Sequence, residues 1–276
     1  MKSKITKKFT AWLALALCLL VGAVTLVGCV KGDTSTDDPP TSNPVADANT
    51  LPVLVDRALS DTEVQELYET VGTHLSVDEN SRLKVSQNGK ITYSKWAADS
   101  DGDPAYTLSD DEAVAVAEQT LEKLGLLPTD NYRTAVSKVQ QANVNVDSAD
   151  MSAPKTIEYT VCFYRTYNGM DILSDEDDGI LITLNKDGVS RLTYLWRNMQ
   201  TAKNPHAAST KLTAQQAQAV YEQVMTDANS AAQIAPIITA AYLQTDGETR
   251  AVWAFSSDVG YVNSVFVDMY TGEVME

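Results

Sequence analysis

The stretch Leu108-Ser109-Asp110-Asp111-Glu112-Ala113, running on through Val114, Ala117 and Leu121 to Lys123-Leu124-Gly125, sets the pattern of the whole chain. Ser109 and Glu112 stand three apart at its start, the spacing of a capping box. There the serine hydroxyl meets an orphan backbone N–H and the glutamate reaches back to the cap. The apolar residues behind them recur at helical spacing. Gly125 is a stop and Pro128 lies just beyond it. The same device recurs at Ser60-Asp61-Thr62-Glu63, before Val64, Leu67, Val71 and Leu75. It recurs again at Thr213-Ala214-Gln215-Gln216, before Ala217, Val220, Tyr221 and Val224. Acidic residues in the first turn of the first two helices also suit the helix dipole.

Each helix is followed by strand patterns and tight turns. After the first, Arg82–Ser86 and Lys90–Trp96 flank Asn88-Gly89, a two-residue hairpin signal. After the second come Tyr132–Val136, Ile157–Arg165, Ile180–Leu184 and Val189–Trp196, the last two joined through Asn185-Lys186-Asp187-Gly188. After the third come Ile237–Leu243, Arg250–Phe255, Val262–Asp268 and Glu273–Met275. Strands joined by short turns are largely antiparallel, and alternating strands bury one face. The helix preceding each run is the natural cover. The expected class is therefore α+β: antiparallel meander sheets, each covered by one helix, with residues 101–200 and 201–276 as diverged repeats of one module. Residues 51–100 read as an N-terminal helix plus β-hairpin.

These residues resemble a known family. The opening at 108–113 and the close at 123–125 look like the start of a PepSY-type module. The run Val252-Trp253-Ala254-Phe255, leading to Val267-Asp268-Met269-Tyr270-Thr271-Gly272-Glu273-Val274, resembles the end of one. The segment from Phe163 through Asn168-Gly169-Met170-Asp171-Ile172 to Val189 is similar to the same module and to YycH/YycI-type extracytoplasmic regulators of sensor kinases. The resemblance covers residues 105–276 in patches. It implies a non-catalytic role: binding or restraining a peptidase or a membrane sensor outside the cell.

The chain's 276 residues carry 21 basic and 37 acidic side chains, a net charge of −16. Four of the lysines, Lys2, Lys4, Lys7 and Lys8, precede an apolar run from Phe9 to Val27. A basic head before an apolar stretch is a secretory signal. It ends in Leu26-Val27-Gly28-Cys29, which resembles a bacterial lipobox. Residues 1–28 thus read as a signal peptide and Cys29 as the acylated residue that holds the protein on the outer face of the membrane. Residues 29–50, rich in Asp, Thr, Ser and Pro, read as a disordered tether. Once residues 1–28 are removed, 17 basic residues face 37 acidic ones, a net of −20. Nucleic acid is excluded as a partner on that charge. With Cys18 cut away and Cys29 acylated, Cys162 is alone, so no intramolecular disulfide forms.

The chemistry-bearing residues point away from catalysis. No G-x-G-x-x-G, P-loop, G-x-S-x-G or H-E-x-x-H pattern occurs. His74 falls near the end of the first helix and His206 in a connector. Cys162 with His206 is a conceivable nucleophile pair, but a strand cysteine ordinarily packs as a small hydrophobe. Asp99, Asp101, Asp103 and Asp110 begin like a calcium loop, yet Pro104 stands where glycine is needed. That cluster and Asp175-Glu176-Asp177-Asp178 read first as solvated acidic loops and second as weak Ca²⁺ sites. Trp96, Trp196 and Trp253 fall at strand ends and read as core, or together as a sugar- or peptide-binding surface. No catalytic, cofactor or metal residue is assigned. The expected function is binding of an extracytoplasmic protein partner by a membrane-anchored lipoprotein; the alternative is a lipoprotein hydrolase acting on wall polymer or peptide.

Overall fold

The computed structural model describes residues 49–96, 105–142, 144–145, 150–151, 153–174, 178–227, 236–256 and 264–275. Cys29, the apolar leader and the aspartates at 99, 101 and 103 lie outside them.

The strands are β1 (Thr50–Val55), β2 (Ser81–Val85), β3 (Ile91–Lys95), β4 (Tyr132–Gln141), β5 (Val144–Asn145), β6 (Asp150–Met151), β7 (Lys155–Tyr167), β8 (Met170–Ser174), β9 (Gly179–Asn185), β10 (Gly188–Leu195), β11 (Asn198–Lys203), β12 (Ile237–Thr245), β13 (Glu248–Ser256), β14 (Val265–Asp268) and β15 (Val274–Met275). The helices are α1 (Asp61–Leu75), α2 (Asp110–Lys123) and α3 (Ala214–Asp227).

All three helices begin where the capping pattern places them. Ser60 accepts from the Glu63 N–H and Ser109 from that of Glu112, each with the reciprocal glutamate bond. Thr213 and Gln216 exchange the same pair of bonds at α3. α1 ends without glycine: Ser76 takes the left-handed conformation at φ 52°.

The arrangement of the strands corrects the expected fold. Among the described residues there are no repeated meanders each under one helix. Most strands join a single mixed sheet in the order β15-β14-β13-β12-β8-β7-β9-β10-β3-β2, with β4 also paired to β7. β8 and β12 run parallel, from Ala241 opposite Asp171 to Gln244 opposite Ser174. The hairpin β2–β3 extends this sheet by pairing with β10, from Arg191 opposite Ser94 to Tyr194 opposite Ile91. The sheet thus takes strands from residues 51–100, 101–200 and 201–276 alike. Hairpin turns and capping boxes are local and leave such long-range pairings open, which is why PepSY-like repetition was expected and is absent.

Strand β7 is the hinge of the sheet. Lys155–Arg165 pair with β4 on one side, interrupted by a bulge at Ile157, and Tyr159–Phe163 pair with β9. The last two residues of β7 pair with β8. On the β9 side of this hinge, α1 and α2 cover one face. Val71, Ala113, Ala117, Leu121 and Leu124 pack there on Ile91, Tyr159, Val161, Phe163, Ile182 and Leu192. On the β12 side, α3 and β1 cover one face: Ala217 and Leu54 join Tyr242, Trp253, Phe255 and Val267, and Tyr221 stacks on Phe255 at 4.8 Å.

Asn88-Gly89 does not form the expected two-residue turn. Ser86 donates to the Lys90 carbonyl at 2.9 Å, closing a three-residue loop with Gly89 at φ 82°. Only a residue tolerating positive φ completes such a loop.

Candidate functional site

Strands β1 and β11 stand apart from the large sheet as an antiparallel ribbon, Thr50 opposite Lys203 and Val55 opposite Asn198. The Asn204 N–H bonds to the Asn49 carbonyl, which fixes the alternation. Gln200 and Ala202 therefore turn their backbone groups toward β1, and Met199, Thr201 and Lys203 turn theirs outward. On the far side of β1, Pro52 has no N–H to present. The Leu54 N–H donates to Gln244 Oε1 at 2.6 Å, and Gln244 Nε2 donates to the Leu54 carbonyl at 2.8 Å. One edge of the ribbon is thus closed by a proline and a buried side chain. The other, along β11, is open among the described residues, and its side chains are mostly exposed.

Beside this ribbon lies a cleft of 520 Å³, within the range of ligand sites. Leu51, Val53 and Ala202 give it an apolar wall, and Lys203, His206, Arg250, Asp268, Tyr270 and Glu273 give it polar ones. The motif Val267–Val274 builds one side. Asp268 Oδ1 accepts from the Tyr270 and Thr271 N–H groups, and the chain reverses at Gly272, φ 72°. Arg250 bonds Glu273 at 2.8 Å and lies 3.8 Å from Asp268. The bond to Glu273 raises its pKa above the usual arginine value. His206 stacks on Tyr270 at 5.5 Å, and Asn204 Nδ2 donates to the Tyr270 hydroxyl. These groups can grip a polar ligand or a peptide backbone.

A second cluster sits where the sheet turns at β7. Arg165, 1% exposed, donates to Asp178 at 3.1 Å, to Asp130 and to the Arg197 carbonyl at 2.6 Å. The Arg197 N–H bonds Asp178 at 2.8 Å, and its guanidinium reaches Ser174 and Asp56. Trp196 donates to Asp130 and lies under Arg165 at 4.2 Å. Two arginines thus meet three carboxylates, Asp56, Asp130 and Asp178, and the five residues come from five stretches of chain. Close by, Arg133 of β4 grips Asp171 of β8, with Nε 2.8 Å from both carboxylate oxygens.

The expected single residues separate. Cys162 lies on the face opposite Tyr159, Val161 and Phe163, as strand parity requires. Burial pushes its thiol pKa up, the reverse of nucleophile activation. His206 lines the cleft beside Tyr270 and makes no pair with Cys162. His74 is in the last turn of α1. Trp253 is buried and donates to the Leu212 carbonyl, Trp196 belongs to the charged cluster, and Trp96 is 52% exposed. They form no common surface. Asp178, expected in a solvated acidic loop, is buried between two arginines; its three acidic neighbours lie outside the described residues. Among the described residues no group of three or more acidic, His or Cys side chains is placed to hold a metal, and no helix is long and apolar enough to cross a membrane.

Sequence reading missed Gln244, Arg250 and the open edge of β11. Glutamine in a strand carries no signal of its own, and the edge exists only once β1 and β11 have met.

No known family matches the chain, and no curated protein does. It is similar to one solved structure, a 1.45 Å crystal structure of an uncharacterized protein from Eubacterium rectale ATCC 33656. The two are 14% identical, with 83% of this chain and 86% of that one covered and a TM-score of 0.48.

Proposed function

We propose that this protein is a non-catalytic, extracytoplasmic lipoprotein, anchored through Cys29, that binds an extended segment of a protein partner along β11. The open edge of β11 carries the reading. Met199, Thr201 and Lys203 offer backbone donors and acceptors to an added strand, and main-chain bonds of that kind supply affinity in strand addition. The cleft beside the ribbon gives side chains of the added segment a place to seat. The lipobox-like Leu26–Cys29 and the polar stretch to residue 50 support the location.

A photo-crosslinking residue at Gln200, introduced in cells, tests the binding. The expected result is one discrete membrane or secreted protein, captured from Gln200 and lost when Thr201→Pro is added. That proline removes an outward N–H and leaves the bonds to β1 intact, as Pro52 does on the other strand. Recovery of no such protein, or capture indifferent to the proline, overturns the reading. Cys29→Ser tests the anchor: the protein is expected to leave the membrane fraction.

A further inference from the structure

Four adjacent strands, β2, β3, β10 and β9, contain no Asp or Glu, in a chain with 37 acidic residues. Their helix-facing residues include Ile91, Tyr93, Leu192 and Ile182. Alternation puts Arg82, Lys84, Thr92, Ser94, Arg191, Thr193 and Leu181 on the opposite face. Arg82 and Arg191 are both register partners of Ser94, one strand to either side, so their backbones are about 10 Å apart. Lys84 is two residues from Arg82, about 7 Å along β2. All three cations are exposed, and none has an ion pair to a described carboxylate. Lys95, Lys138, Arg133, Arg165, Arg197 and Arg250, by contrast, are all paired. Beside the trio Trp96 is 52% exposed with the Arg82 guanidinium 4.8 Å from its ring centre, and Leu181 is 38% exposed.

The charge sits in layers. On the other side of the sheet, α1 and α2 carry Asp61, Glu63, Glu66, Glu69, Asp110, Asp111, Glu112, Glu118 and Glu122 against one lysine, Lys123. A helix packs about 10 Å from a sheet and adds its own diameter. The acids on its outer side therefore lie more than one Debye length from the basic face at physiological salt, about 8 Å. At physiological salt the basic face is screened from those helix acids; the described acids nearer to it are Glu158, on the same face of β7 by alternation, and Asp187 in the β9–β10 turn.

We propose that this face docks on the anionic headgroups of the membrane that holds the lipid anchor, so that the tethered body lies with the open face of β2, β3, β10 and β9 against the bilayer and its acidic helices outward. Cations flanked by an exposed tryptophan suit the headgroup region, where each Lys or Arg contributes about 1 kcal/mol and an indole sits at the interface. Three cations bind weakly alone. Twenty residues of chain separate Cys29 from Asn49, a reach of at most about 70 Å, which keeps the face within reach of the membrane and its effective concentration high. The proposal rests on the anchored reading for that proximity.

The test uses the full-length acylated protein with vesicles of phosphatidylcholine alone or with about one third phosphatidylglycerol, both carrying brominated acyl chains. Flotation on the neutral vesicles reports the anchor. The quenching of Trp96, taken as the difference from Trp96→Phe, reports the docked face. Quenching is expected to be at least about twofold greater in anionic vesicles and to fall to the neutral value in 0.5 M salt. The double variant Arg82→Gln/Arg191→Gln is expected to fall to that value too, with flotation unchanged. Equal quenching in both vesicles, or quenching that survives the double variant, overturns the proposal. Displacement of the face from anionic vesicles by micromolar soluble polyphosphate overturns it in favour of an anionic polymer. Failure to float on neutral vesicles, with anionic-dependent quenching retained, denies the lipid anchor and leaves the basic face standing.

Discussion

Gln244 reaches across 190 residues of sequence to bond both backbone groups of Leu54, accepting at 2.6 Å and donating at 2.8 Å. One side chain thus plays the part of a strand, and it docks the ribbon on the large sheet. Thr249 donates to the same Gln244 oxygen at 3.2 Å, which holds the amide in this orientation.

Replacing Gln244 by leucine leaves the Leu54 N–H and carbonyl buried without partners. Each such loss costs about 1–3 kcal/mol, so the variant is expected to lose ~2–4 kcal/mol. For a chain of this size that is a fall of about 5–15 °C in Tm, read by a thermal melt. A melt unchanged within 2 °C, on the order of 1 kcal/mol or less, would show the ribbon to be held by its apolar contacts alone.

Arg165→Met strips the buried carboxylate of Asp178 of a partner and leaves Trp196 without its cation. Breaking a buried pair from one side costs about 3–5 kcal/mol. Urea titration is expected to show that loss. The double variant Arg165→Met/Asp178→Asn should recover part of it, because the stranded charge is gone. Arg165→Lys should remain well below wild type, since a lysine cannot bond Asp178, Asp130 and the Arg197 carbonyl in one plane.

The capping glutamates set an acid limit. The Ser60 N–H holds the Glu63 carboxyl below its ordinary value of 4.5, and the Ser109 N–H does the same to Glu112. A carboxylate with a depressed folded-state pKa contributes stability that is present above pH 4.5 and lost as pH falls through the folded value. The stability difference between wild type and Glu63→Gln/Glu112→Gln should therefore be largest at pH 6 and shrink toward pH 3. Equal differences at both values would mean the caps act through neutral hydrogen bonds.

Cys162 is expected to resist alkylation. Burial raises its thiol pKa above 9.0, so at pH 8 the folded protein holds little thiolate. Iodoacetamide should label the native protein at least about tenfold more slowly than the urea-unfolded one. Comparable rates would place the thiol in open solvent.

The helices could be read from sequence because their signals are local. Ser60, Ser109 and Thr213 each announce a cap that needs only the next three residues. The face of most strands was legible for the same reason: parity alone puts Val161 in the core and Cys162 outside it. β1 and β11, which frame the candidate site, were not read as strands. Sheet order was not legible. Nothing in Met170–Ser174 says that its partner is Ala241–Gln244, or that it runs parallel to it, and nothing in Arg191–Tyr194 points to Ile91. The candidate site follows the same division. The turn at Asp268–Gly272 was visible as a motif, whereas the cleft it borders needs β1, from the other end of the described chain, to form its other wall.

The pairing of β1 with β11 also bears on the order in which the chain folds. β1 is the first strand of the described chain, yet its partner ends at Lys203. A chain that emerges N-terminus first from the ribosome delivers β1 long before β11. Leucines 51 and 54 must wait with no strand beside them. Their burial, and the closing of the cleft, are among the last events of folding, and pairings of such long range fold slowly. During that interval the β1 segment is an apolar stretch open to a chaperone or a protease.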